Sequence, residues 1–433
     1  GDSKSLVQLY VKMRKWEDAF GIMKQNPGQF EKDVYLPYAE FLALNDKFDE
    51  AQKAYRDAGL PELSLKMLGQ LTHNAVSEHR FKDAAFYFWL LAQENVKLIP
   101  ENSTSKKKFT RQQVIAYKKF RKYQQRAKQY YAYSFVYQSV DEPFTGLMPI
   151  QLFNISRYLL NTLQGDSKKS ETPFGISRAY VLFTLSKHCK TLGAYKLARE
   201  TNAKLQQLII NPMWVDVIDL DMMTLQSKPM SDKEELLQVC YRCGHRNALL
   251  TAANKTTDAC MNCHHPFVRS FSQFDHLPLV EFVPPKGMSD EEAIRHIQAI
   301  SSDGDEESKQ EEVDRWTDRG DEKGGDRFAA ALAKFNERND RKNYKPVEVD
   351  ASVMRSMNEE EVFVVRSPCP ADRCKFYKNV DPTVAIKLSR AGVFFHRMDY
   401  EQLYLTEGYC PISRKKDPEM EGALPSAEVT TNF

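Results

Sequence analysis

The chain of 433 residues is poor in the two residues that punctuate turn-rich folds: its 18 glycines and 20 prolines make up about 9 % of it, below the usual ~12 %. That shortage favours long helices over short-stranded sheets. Eight cysteines are too sparse for a disulfide-built fold, and their spacing points to intracellular metal chemistry instead. Charge of one sign is missing as well: 61 basic and 59 acidic residues leave a formal charge of +2, so no global field draws the chain to nucleic acid or an anionic membrane. The longest apolar run, Ala84 to Ala92, is far short of the ~20 residues that span a bilayer. The start has no basic region followed by an apolar stretch, so it is not expected to act as a signal peptide. It begins without an initiator Met, inside a helical pattern, and is expected to be the C-terminal part of a larger protein. A P-loop, H-E-x-x-H, G-x-S-x-G or G-x-G-x-x-G motif occurs nowhere, which disfavours an enzyme.

What is present is ordinary for a globular chain, with 42 % hydrophobic and 28 % charged residues and a length that predicts about three domains. The first hundred residues repeat. A basic residue, an aromatic, a charged or polar pair and an alanine recur as Lys15-Trp16-Glu17-Asp18-Ala19, Lys47-Phe48-Asp49-Glu50-Ala51 and Arg80-Phe81-Lys82-Asp83-Ala84. The aromatics lie 32 and then 33 residues apart, near the ~34-residue period of tetratricopeptide-type helix pairs. Each motif is expected to open the second helix of a pair, its aromatic wedged against the first helix and its alanine permitting close approach. One pair cannot bury its own apolar face, so consecutive pairs must stack into a solenoid.

Further along, residues 101 to 108 form a polar loop, and 110 to 137 a long helix bearing Lys118, Lys119, Arg121, Lys122, Arg126 and Lys128. Helices are expected over 149 to 163 and 175 to 210, the latter holding a weakened fourth motif, Leu192-Gly193-Ala194-Tyr195-Lys196-Leu197-Ala198. The solenoid ends near Pro212 or Asp221. A helix over 289 to 300 opens with Ser289 as N-cap and Glu292 completing a capping box. Residues 301 to 327 are almost devoid of apolar side chains and should be a linker, followed by one more helix at 328 to 339. The expected fold is mainly α. It comprises tetratricopeptide-like helical repeats over 1–221, a four-cysteine zinc-ribbon-like module over 237–285 and short helices with an acidic linker over 286–347. A small degenerate zinc-finger-like α+β module over 348–413 and a loose tail over 414–433 complete it.

The strongest chemical signal is Cys240-Tyr-Arg-Cys243 and, sixteen residues later, Cys260-Met-Asn-Cys263, a spacing that falls in the zinc-site range. Two intervening residues let a knuckle aim both sulfurs at one ion, and two knuckles complete a tetrahedron. Gly244 can take the positive φ such turns often require. Four thiolates leave no open coordination position, so one structural Zn2+ is predicted rather than a catalytic ion. His245, His264 and His265 lie close by, as alternative ligands or as ordinary surface residues. Cys369, Cys374 and Cys410 with His396 offer a weaker second ligand set, against which stands a module held by packing alone. Cys189 reads as a small core residue. Asp219 and Asp221 resemble a metal–phosphate motif only superficially. The basic stretch 106–128, interleaved with Tyr117, Phe120 and Tyr123, fits a groove for RNA or anionic lipid. The plainer alternative, a solvated basic face over an aromatic core stripe, is favoured by the near-neutral total charge. A cross-braced ubiquitin-ligase module, which needs eight closely spaced ligands, is disfavoured by the presence of four.

The run from Tyr35 to Tyr55 (YLPYAEFLALNDKFDEAQKAY), with Leu71 to Ala85 and Phe395 to Tyr404, resembles the intraflagellar transport protein 122 family, whose members are subunits of intraflagellar transport complex A. The resemblance implies a pair of upstream WD-repeat propellers, this solenoid and C-terminal zinc-binding segments. It further implies a non-catalytic scaffold in the cytoplasm and cilium, at basal body and axoneme. The expected role is retrograde ciliary transport and ciliary entry of membrane receptors. The implied partners are the other complex A subunits, with ciliary membrane-protein cargo or adaptors beyond them; nucleic acid is not expected. The family's last module carries two C-x-x-C pairs, which here fall on Ser389/Gly392 and Cys410/Ser413, so a second zinc is not carried over. Two other function classes remain: a nucleic-acid-binding protein using the ribbon and the basic helix, and another vesicle-coat or tethering subunit of propeller-plus-solenoid plan.

Overall fold

A computed structural model of the chain describes residues 3–26, 30–45, 47–97, 111–142, 146–164, 172–249, 258–302, 327–338, 344–367 and 373–421. They fall into two compact units. One comprises the described residues of Gly1–Asn102, Lys106–Ser134 and Pro173–Ile176, the other those of Phe135–Thr172 and Ser177–Phe433.

The first unit is built from helix hairpins: α1 (Ser3–Lys12) with α2 (Trp16–Gln25), α3 (Glu31–Leu44) with α4 (Phe48–Asp57), and α5 (Pro61–Ser77) with α6 (Phe81–Lys97), followed by α7 (Arg111–Asp141) up to Ser134. Each repeated aromatic is the first residue of a second helix, and each motif alanine (Ala19, Ala51, Ala84) is fully buried. The turns share one backbone figure. The residue before each second helix donates its N–H to the carbonyl five residues back, as in Lys15 to Tyr10 at 3.0 Å, Lys47 to Leu42 at 3.0 Å and Arg80 to Ala75 at 2.9 Å. This is the Schellman closure, which satisfies carbonyls that the helix end leaves unpaired. It places Arg14 (φ 55°) and His79 (φ 60°) in the left-handed region.

The aromatic wedge points the other way from the expected one. Trp16 packs on Tyr38 and Phe41 of α3, with centroids 5.1 and 5.5 Å apart, and Phe81 meets Tyr133 of α7 edge-on at 4.8 Å. Trp16 and Phe81 therefore fasten their hairpins to the helix that follows, which is the contact a stacked repeat needs. On α7 the basic side chains Lys118, Lys119, Arg121 and Lys122 are exposed while Phe120, Tyr130 and Tyr131 are buried. This is the amphipathic arrangement of a core helix; residues 106–110 of that stretch lie outside the described residues, as does the polar loop 101–108. Tyr130 donates its hydroxyl to the Phe174 carbonyl at 2.6 Å. At Gly175 (φ +77°) an added Cβ would sit 2.4 Å from Cγ1 of Val76, so only glycine fits.

The second unit continues the hairpin plan with α8 (Pro149–Gln164), α9 (Arg178–Leu192), α10 (Tyr195–Leu205) and α11 (Pro212–Gln226). The fourth motif behaves like the others: Ala194 N–H reaches the Cys189 carbonyl at 2.8 Å, Gly193 has φ 93°, and Tyr195 opens α10. Cys189 is a core residue with no exposure. Asp219 and Asp221 stand inside α11, where Asp221 is buried and paired with Lys190.

Past a 3-10 turn at Glu234–Leu236, the short strands β1 (Gln238–Val239) and β2 (Arg246–Asn247) form an antiparallel hairpin. Strand β3 (Leu279–Val283), helices α12 (Asp290–Ser302) and α13 (Arg327–Arg338), β4 (Val347–Glu348), α14 (Ala351–Arg355), β5 (Val362–Val365) and β6 (Lys375–Asn379) follow. Then come the hairpin β7 (Ile386–Leu388) and β8 (Phe394–His396), α15 (Arg397–Glu407) and α16 (Pro418–Glu421). The capping box at α12 is formed: Ser289 N–H donates to Glu292 Oε2 at 3.0 Å and Glu292 N–H to Ser289 Oγ at 3.2 Å.

The sheet order is β4-β3-β6-β5, with β3 parallel to β4 and antiparallel to β6. Its pleat sends alternate residues to two cores. Val280, Phe282 and Phe376 face Ala293, Ile297, Phe328 and Met354 of the three helices; Leu279 and Tyr377 face Phe394 of the β7–β8 hairpin. The segments 237–285, 286–347 and 348–413, distinguished by composition, thus share one sheet. Helices α12 and α13 of the middle segment roof it, and residues 303–326 of the acidic linker lie outside the described residues. The expected tail also starts inside the fold: Asp417 is buried and accepts from the Tyr400 hydroxyl at 3.0 Å, while 422–433 lie outside the described residues.

Candidate metal centre

Two identical turns aim the sulfurs. In the first, Cys240 N–H donates to the His245 carbonyl at 3.0 Å and Gly244 N–H to the Cys240 carbonyl at 2.8 Å. In the second, Cys260 N–H donates to His265 at 2.9 Å and His264 N–H to Cys260 at 3.0 Å. Gly244 (φ 69°) and His264 (φ 55°) occupy the same left-handed position, so the second turn accepts a non-glycine residue there at some conformational cost. Backbone N–H groups of His245 and His265 point at Cys243 and Cys263.

The four Sγ atoms lie within 4.8 Å of one another. Cys240–Cys263 and Cys243–Cys260 approach to 3.6 and 3.7 Å, far beyond a disulfide's ~2.05 Å. A tetrahedral ion with Zn–S bonds of ~2.3 Å requires sulfurs ~3.8 Å apart, so the set fits four-thiolate coordination. Contact with Cys240 and burial push the Cys263 thiol up, and burial does the same to Cys243; a central cation reverses that, because a coordinated thiol is deprotonated. Cys240 and Cys260 are fully buried. Among the described residues this is the one group of three or more His, Cys, Asp or Glu so placed.

The histidines do not join it. His245 and His264 are exposed, and His265 is buried with its Nε2 accepting the Glu281 N–H at 3.2 Å. Burial, with Arg242 nearby, lowers the His265 pKa to about 3, so the ring is a neutral acceptor. Nor do the other candidates converge. Cys374 lies beside the helix-side core of the sheet, His396 pairs with Asp275 at 2.6 Å, and Cys410 sits in a separate turn; Cys369 lies outside the described residues.

Residues that motif reading passed over hold the centre in place. Asn247 is buried; its Nδ2 donates to the carbonyls of Gln238 (3.2 Å) and His245 (3.0 Å), and its Oδ1 accepts the Met261 N–H at 2.8 Å. Arg242, between the first two cysteines, is 3 % exposed and lies 5.2 Å from the Phe335 ring and 5.5 Å from that of Tyr344. On the helical side Arg157 of α8 donates to Gln238 Oε1 at 3.2 Å, and Tyr158 packs on Phe274 at 4.6 Å. Arg269 spans Asp258 through Nε (2.9 and 2.8 Å) and reaches the Phe274 carbonyl at 2.8 Å.

Among the described residues the knuckle figure occurs at two further turns without a full sulfur set. Ser270 N–H bonds the Asp275 carbonyl at 3.0 Å with Phe274 at φ 54°, and Cys410 N–H bonds Lys415 at 3.0 Å with Arg414 at φ 50°. Polar contacts tie down the first: His396–Asp275, and Ser272 donating to Asp399 at 2.8 Å.

Helix hairpins closed by a common cap, followed by a pair of knuckles presenting four thiols, define an α-solenoid protein with a zinc-ribbon module. Family models agree: residues 1–180 match one described as "IFT122, TPR domain" and 233–280 one described as "IFT122, zinc ribbon domain". The Intraflagellar transport protein 122 homolog of Homo sapiens is 38 % identical over 432 residues, covering 96 % of this chain and 33 % of that protein. Those of Danio rerio and Xenopus tropicalis are 37 % and 39 % identical, each covering 96 % of the chain and 34 % of the relative. The chain belongs to the intraflagellar transport protein 122 family and spans about a third of the length of these curated relatives. No helix of the described residues is long and apolar enough to cross a membrane.

Proposed function

We propose that the chain is a non-catalytic scaffold region of an intraflagellar transport complex A subunit, working in the cytoplasm and cilium. Its role is to hold other subunits for retrograde transport and for the ciliary entry of membrane receptors. The observation that carries this reading is similarity to the 122 homologues along nearly the whole chain, repeats and ribbon alike. Stacked hairpins suit the task, since their surfaces can bury large areas without a reactive cleft.

Cys240, Cys243, Cys260 and Cys263 hold one structural Zn2+ in this reading. Such an ion contributes roughly 10–16 kcal/mol to folding in zinc-finger peptides, enough to fix the junction between α8 and the β3 sheet. Affinity isolation of the protein from ciliated cells tests the assignment. Complex A subunits should co-purify in fixed ratio, and their absence would overturn it. Elemental analysis of purified chain should return one zinc; none would remove the structural ion, and two would revive the second site at Cys369 and Cys374.

A further inference from the structure

Helix α11 has two apolar faces, and the fold uses one. On the inner face, Trp214 stacks on Phe183 at 4.3 Å and meets Tyr180 edge-on at 5.1 Å, while Ile218 and Leu225 are buried. On the outer face Met213, Val217, Leu220 and Met223 are 81 %, 44 %, 63 % and 68 % exposed. Met213, Val217 and Leu220 stand at i, i+4 and i+7, the spacing of a helix-pairing seam. A helix closing a solenoid ordinarily turns a polar face outward. This one turns an apolar seam edged by Asp216 and Asp219, both exposed and without an ion pair among the described residues.

We propose that the outer face of α11 docks an amphipathic helix of another polypeptide, with apolar anchors at helical spacing and Lys or Arg flanking them. The seam spacing selects a helix, and the two carboxylates select its charge, since complementary flanks favour association and like charges oppose it. That same rule disfavours a second copy, which would bring Asp216 and Asp219 against their own kind, and an anionic lipid surface, which would meet them with phosphate. The proposal rests on the scaffold reading and sharpens it to one helix face.

The test places a photo-crosslinking amino acid at Leu220 of the full-length protein in cells that make it, and identifies the adduct peptide by mass spectrometry. The expected adduct is a peptide of another subunit with Lys or Arg beside apolar residues at helical spacing. Asp216→Lys with Asp219→Lys should reduce its yield roughly tenfold or more, and reversing the charges on the captured peptide should restore it. Because every altered side chain is exposed, the melting temperature and metal content should stay unchanged, which separates docking from folding. An adduct with a second copy, with lipid or with a peptide lacking basic residues overturns the proposal, as does no adduct. The adduct is scored on its own peptide sequence. Co-purifying complex A without that adduct defeats the docking face alone, whereas failure of complex A to co-purify defeats the scaffold reading.

Discussion

The Asn247 side chain spans the two knuckles and accepts the Met261 backbone N–H at 2.8 Å. It hydrogen-bonds to the backbone of both sulfur-bearing turns, through His245 on one side and Met261 on the other. Asn247→Ala should leave these groups unpartnered and cost about 1–3 kcal/mol, with faster loss of metal to a colorimetric chelator. Asn247→Asp keeps the acceptor and loses the donor, so it should fall between. A variant that melts and releases metal like the parent would show the clamp to be dispensable.

Metal removal should reach beyond the ribbon. Strand β3 follows the second knuckle and forms the centre of the four-stranded sheet, so a strong chelator, or Cys240→Ser with Cys243→Ser, should raise hydrogen exchange in β3, β6 and the 348–413 segment. Helices α1–α6 should be unaffected. Protection retained at Phe282 and Phe376 after complete metal removal would show that the sheet stands alone.

The His396–Asp275 pair gives a pH dependence of definite sign. The Asp275 hydrogen bond, followed by the Asp275 and Asp399 charges, raises the His396 pKa against opposing burial. A raised folded-state pKa means that the stabilisation is complete below the unfolded value of ~6.5 and is lost as pH rises through the folded value. The difference in melting temperature between the parent and His396→Gln should therefore be larger at about pH 5.5 than at about pH 8.5, on either side of that window. An equal or growing difference would contradict this assignment.

Gly175→Ala should destabilise the first unit by roughly 1–3 kcal/mol, the scale of a strained left-handed residue, with the 2.4 Å approach to Val76 added to it. Denaturant melts of the parent and Gly175→Ala measure it. The double variant Gly175→Ala with Val76→Ala should relieve the clash but not the backbone strain.

Local chemistry made much of this legible in advance. The aromatic-to-alanine motifs located the openings of α2, α4, α6 and α10, because a small residue is required where helices approach closely. Ser289 and Glu292 announced a helix start three residues apart, and the cysteine pairs announced their own geometry. What stayed hidden depends on distant partners or on backbone shape. Trp16 carries no mark of whether it packs backward or on Tyr38 ahead of it. Glu281 pairs with Tyr377 across a stretch of chain that includes three helices and two other strands, and no periodicity encodes that register. The turn at Ser270–Asp275 repeats the knuckle in its hydrogen bonds alone, so a search for cysteines passes over it. Asn247 was invisible for a similar reason: one buried amide in a two-residue strand has no spacing signature.

The pairing of β3 also sets an order of events during synthesis. Glu281 leaves the ribosome 96 residues before Tyr377, its neighbour in the sheet, a wait of roughly 5–20 s at ~5–20 residues per second. Until β4 emerges at Val347, Val280 and Phe282 have no neighbouring strand at all, and both knuckles are complete before either partner strand appears. Zinc captured at this stage would hold one end of the waiting strand in place until its partners arrive.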